Sequence, residues 1–70
     1  MIDVSLKGVR CRAAHEILDI GGTIEALTEG TIAYELEGEG GQLVSVCWDD
    51  GTRTLVSSEE IIITDHVTWN

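Results

Sequence analysis

Between Gln42 and Thr52 the chain reads Q-L-V-S-V-C-W-D-D-G-T, an apolar alternation that runs into a turn signal of two aspartates and a glycine. Period-two alternation ending in such a turn is the signature of a β-hairpin. The register of that hairpin follows from what it would bury. A two-residue loop at Asp50-Gly51 would set Arg53 opposite Trp48, on the same face, and bury a guanidinium with the indole. A three-residue loop, Asp49-Asp50-Gly51, with Gly51 in the left-handed bulge position, pairs Trp48 with Thr52 and Val44 with Val56 and leaves Arg53 in water. The second register is the expected one, with Val44, Val46 and Trp48 inward and Leu43, Ser45 and Cys47 outward.

The remaining segments read as further short strands. Leu6 to Ala14 alternates, with Val9, Cys11 and Ala13 on one face and Arg10 and Arg12 on the other. His15 to Gly22 is too short for a convincing helix and too irregular for a strand, so it is expected to form a long arm, with Thr23-Ile24-Glu25 returning in extended form. A turn is expected at Thr28-Glu29-Gly30. From Thr31 onward Ile32, Tyr34 and Leu36 should face inward and Ala33, Glu35 and Glu37 outward. Glu37 to Gly41 reads as a flexible loop. Ser57-Ser58-Glu59-Glu60 suits one capped helical turn, and Ile61 to Thr64 a last strand that buries Ile61 and Ile63 and exposes Ile62.

With 70 residues, the chain has room for one domain spanning 1–70, and a chain this size buries only about 60% of the surface it exposes when unfolded. Thirteen acids against four bases give a net charge of −9. That balance repels phosphate backbones, so no nucleic-acid partner is expected, and it favours another protein with a basic surface. No apolar run approaches a membrane span and the first residues lack a signal-peptide pattern, so no membrane partner is expected and the location is expected to be cytoplasmic. Cys11 and Cys47 are too few and too far apart for a disulfide framework.

Five short strands, a long early excursion and a one-turn helix before the final strand are the parts of an all-β fold: a small five-stranded, partly open SH3-like barrel, core about 6–64. The run Val46-Cys47-Trp48-Asp49-Asp50-Gly51, preceded by Glu29-Gly30-Thr31-Ile32, resembles the V-x-W-D-x-G pattern after a G-T-I or G-T-V turn in several SH3-like families. Among these are the Mind-bomb-type domain, nitrogen-fixation accessory barrels and small barrel subunits of ferredoxin-linked photosynthetic complexes. The chain as a whole is similar to short stand-alone bacterial barrels of this type. The resemblance implies an accessory or adaptor protein, or alternatively a small regulatory subunit of a redox or ferredoxin-linked complex.

Chemistry-bearing constellations are sparse. Trp48 and Tyr34 share parity with apolar neighbours and read as core; Trp69 is the freer aromatic. His15, Glu16 and Asp19, or Asp65 and His66, lack the tight ligand spacing of a zinc site, and Asp49-Asp50-Gly51 is too short for a calcium loop. No cofactor, metal or catalytic residue is expected. The surface expected to meet a partner comprises Arg10 and Arg12 on the first strand, Ile17 and Leu18 on the arm, and Leu43, Leu55 and Ile62, an apolar patch rimmed by charge that also suits a homodimer.

Overall fold

The computed structural model describes residues 2–19 and 22–64. They form eight antiparallel strands and one 3-10 turn: β1 (Ile2–Asp3), β2 (Arg10–Ala13), β3 (Ile17–Asp19), β4 (Gly22–Ile24), β5 (Glu29–Gly38), β6 (Gly41–Trp48), β7 (Arg53–Ser57), the 3-10 turn (Ser58–Glu60) and β8 (Ile61–Ile63). The main sheet runs β7-β6-β5-β2-β8, with β1 also paired to β5, while β3 and β4 form a separate two-stranded sheet.

The β6–β7 hairpin adopts the register that keeps Arg53 out of the core. Val44 pairs with Val56 and Cys47 with Arg53. The Trp48 amide donates to the Thr52 carbonyl at 2.7 Å and the Gly51 amide to the Trp48 carbonyl at 2.9 Å, with Gly51 at φ +93°. That dihedral is open to glycine and strained for other L-residues, which is why the turn ends in Gly51. Asp50 Oδ1 accepts from the Thr52 amide and locks the same turn. Downstream, Ser57 caps the 3-10 turn, its hydroxyl oxygen accepting from the Glu59 amide.

The core is built from cross-strand rows. Cys11, Gly30 and Trp48 form one; Ile32, Val46 and Thr54 a second; Val44 and Val56 a third; Ala13 and Ile61 a fourth. Cys11, Ala13, Ile32, Val44, Val46, Trp48 and Val56 are buried. Trp48 keeps its one polar atom satisfied by donating Nε1–H to Thr54 Oγ1 at 2.8 Å, as a buried indole must. Gly30 supplies the space: a Cβ there would lie 2.8 Å from Val46 Cγ1 and 2.9 Å from Trp48 Cε3.

Several expectations are corrected. The arm is a hairpin, with Ile17 opposite Ile24 and both side chains in the core. The turn expected at Thr28-Glu29-Gly30 falls at Ala26-Leu27, closed by the Thr28 amide on the Glu25 carbonyl, so β5 already begins at Glu29. Leu6 belongs to a turn, and β1 adds a strand with no sequence signal beyond Ile2. The glycine-rich loop is short because Gly38 pairs with Gly41 and extends the hairpin to its tip. Ser45, expected outside, is buried between its register partners Tyr34 and Leu55. Ile63 is 45% exposed because β8 is the sheet edge.

The correction with most consequence lies in β5. Ile32 pairs with Val46 but Tyr34 pairs with Ser45, so Ala33 and Tyr34 together oppose one residue of β6, a β-bulge. One extra residue reverses the parity of everything after it. Tyr34 and Leu36, expected in the core, are half-buried, and Glu35 is placed in the inward row opposite Val44, 8% exposed.

Candidate interaction surfaces

Strand pairing brings together only part of the expected contact surface. Arg12 lies opposite Glu29 on one side and Ile62 on the other, so Arg12 and Ile62 are neighbours on the outer face, and both are exposed. Arg10 occupies the next outward row, with Thr31, Cys47 and Arg53. Leu55 and Leu43 lie further along, opposite Ser45 and between Leu36 and Ser57, so the Arg10 row separates them from Ile62. Leu18 is 78% exposed on the β3–β4 hairpin. Ile17, expected in the contact surface, is withdrawn into the core because its register partner Ile24 faces inward.

Arg10 is engaged within the chain. Its Nη1 donates to Thr31 Oγ1 and to Asp49 Oδ1, both at 2.8 Å, and its Nη2 donates to Asp49 Oδ2 at 2.7 Å, with Glu29 Oε1 4.0 Å away. This two-pronged bridge spans β5 and ties β2 to the β6–β7 turn. The Arg10 guanidinium holds the Asp49 carboxyl below its ordinary value of 3.8, and Asp49 in turn raises Arg10. Asp50 is lowered by the Thr52 amide, and Asp3 by the Ser5 hydroxyl. Carboxylates lowered in the folded state stabilise it above their ordinary value and lose that contribution as pH falls through the folded one. Asp49→Asn is therefore expected to melt a few degrees below wild type at pH 6, where an exposed ion pair is worth little but not nothing. The gap should narrow as pH falls below 3.8 and through the lowered folded value, where wild-type Asp49 takes up its proton. Melting curves at pH 6 and pH 2 check this, and a constant gap would mean the bridge is not what Asn removes.

The two thiols are free and lie apart. Cys11 is fully buried, which pushes its thiol up, and Cys47 is half-buried on the outer face. They sit on β2 and β6 with β5 between, on opposite faces, about 10 Å apart by strand spacing and outside disulfide reach. His15 Nδ1 lies 2.8 Å from the Glu16 carbonyl. Among the described residues no group of three or more His, Cys, Asp or Glu converges on a metal-binding arrangement, and no helix is long and apolar enough to cross a membrane. Asp65, His66 and Trp69 lie outside the described residues.

The bulge creates a feature absent from the expected set. Asp3 pairs with Glu35 across β1 and β5, and Glu37 with Gln42 across β5 and β6. These four side chains, with Glu39 at the hairpin tip, line a recess of about 490 Å³ that contains no basic residue. Asp3, accepting at 2.6 Å from the Ser5 hydroxyl and at 2.8 Å from its amide, stays ionised across the neutral range. Asp3, Glu37 and Glu39 read as ordinary solvated acids in sequence. Only the bulge, which carries no glycine or proline to announce it, gathers them around an inward Glu35. The chain matches no protein-family model, no curated protein and no solved structure.

Proposed function

We propose that this chain is a non-enzymatic SH3-like barrel acting as an accessory or adaptor module that binds a basic surface of another protein. The barrel reading is supported by the strand order: β5, β6 and β7 form a meander, β2 and β8 complete the row, and a single 3-10 turn returns β8 to β2. The β3–β4 hairpin occupies the long connection between β2 and β5. The observation that carries the functional reading is the anionic recess: Asp3, Glu35, Glu37 and Glu39 around one concavity, with no base to neutralise them, in a chain of net charge −9. Concave surfaces lined by one sign of charge concentrate field and attract the opposite sign.

Capture with tagged protein from source lysate, followed by mass spectrometry, tests this. One stoichiometric partner with a basic surface is expected, and its retention should fall steeply as salt rises from about 0.05 to about 0.5 M, the Debye length being about 10 Å at 0.1 M. Salt-insensitive capture would remove the charge argument. Retention only of a second copy would replace the adaptor by a self-associating barrel, and recovery inside a multi-subunit redox assembly would favour the regulatory-subunit reading.

A further inference from the structure

We propose that the free edge of β7 takes up an extended acidic segment of a partner protein as an added antiparallel strand, in register with Arg53 and Leu55. Neither residue lines the anionic recess, so this surface goes beyond the basic-partner reading.

β7 ends one side of the main sheet and is paired to β6 alone. The Trp48 amide donates to the Thr52 carbonyl, and bonded pairs alternate along an antiparallel ladder, so Thr54 and Val56 exchange bonds with Val46 and Val44. The amide and carbonyl groups of Arg53 and Leu55 therefore point away from β6, and none of them has a backbone partner among the described residues. Edges of this kind are ordinarily blunted by proline, a bulge or an inward-pointing charge. β7 has none of these: it reads R-T-L-V-S, and its register with β6 is unbroken from Arg53 to Ser57. An incoming strand would find those groups aligned for hydrogen bonding, the main source of affinity in strand addition. Its chemistry follows from the side chains that flank the edge. Arg53 is exposed and makes no ion pair among the described residues, and Leu55 is 46% exposed on the same face. Residues directly opposite one another in an antiparallel pair share a face, so a complementary segment sets an acid against Arg53 and an apolar residue against Leu55. Read from its N-terminus, that segment is apolar, any residue, acid. The other edge, β8, is three isoleucines with no charge to select a partner.

The probe is the acetylated, amidated peptide V-T-L-T-E-T, titrated into ¹⁵N-labelled full-length protein. Saturable shifts are expected along β7, with amide exchange slowed at Arg53 and Leu55 and unchanged at Thr54 and Val56, which are already bonded to β6. N-methylating the peptide's leucine and glutamate amides, which face the edge, should abolish binding. N-methylating the two threonines that flank its leucine, whose amides face away, should leave binding within about twofold. Exchanging the peptide's glutamate for lysine should weaken it about fivefold. Arg53 is exposed, so Arg53→Glu should keep the fold and reverse that preference, the lysine peptide then binding the tighter. No saturable shift up to about 5 mM peptide, equal loss with either pair of N-methyl groups, or a preference that Arg53→Glu does not reverse would overturn the proposal. So would shifts centred on β8. Sedimentation of the protein alone as a dimer, with Arg53 and Leu55 already slow to exchange, would give the edge to a second copy and overturn it as well.

Discussion

Trp48→Ala is expected to leave the chain largely unfolded at 25 °C. Removing a fully buried tryptophan costs about 3–5 kcal/mol, and a further 1–3 kcal/mol or so is lost because the buried Thr54 hydroxyl forfeits the indole N–H that donates to it. A domain of this length has about 4–10 kcal/mol in total, so the loss takes most of it. Trp48→Phe is the milder change: it keeps the six-membered ring but gives up the hydrogen bond together with the five-membered part of the indole, for a Tm decrease of about 5–15 °C. Circular dichroism melts with amide dispersion in NMR check both. A folded Trp48→Ala protein within about 5 °C of wild type would mean the core does not rest on the Cys11, Gly30 and Trp48 row.

Gly30→Ala sets two opposed effects against each other. In a strand, replacing glycine ordinarily gains about 0.5–1 kcal/mol, because the unfolded chain loses freedom. Here the new methyl would stand 2.8 Å from Val46 Cγ1, 2.9 Å from Trp48 Cε3 and 3.0 Å from the Cys47 carbonyl oxygen. None of these is the loose end of a flexible side chain, and overpacking of this kind costs about 1–3 kcal/mol. Overpacking wins, and the Tm should fall by about 5–15 °C. Val46→Ala in the same chain should recover part of the loss relative to the sum of the single changes, a coupling that a double-mutant cycle reads directly. Strict additivity would place the strain elsewhere.

Where sequence reasoning succeeded, a buried residue set the phase. Trp48 and Arg53 could not share a face, and that alone selected the three-residue loop that the hydrogen bonds around Gly51 display. It also separated Cys11 and Ala13 from Arg12. It failed where phase changes without a marker. Ala33 and Tyr34 carry nothing that distinguishes a bulge from continued alternation, so Glu35 read as solvated and the recess was invisible. Ile17 failed differently: in a short irregular segment it read as a surface residue, and only pairing with Ile24 across a second small sheet explains its burial. Of the expected contact residues, Arg12, Leu18, Leu55 and Ile62 are on the surface, whereas Arg10 is committed to Asp49 and Leu43 is half-buried.

The bulge also divides the labour of β5. Its first half, Gly30 and Ile32, obeys the packing of the interior, where a single methyl is too much. Its second half, from Glu35 to the tip, is freed by one residue from the parity that rule imposes. Closing the bulge by pairing Ala33 with Ser45 would erase the boundary, setting Tyr34 opposite Val44 and turning Glu35 outward. The two halves are therefore free to accept changes independently: the interior can stay constant while the acidic end varies.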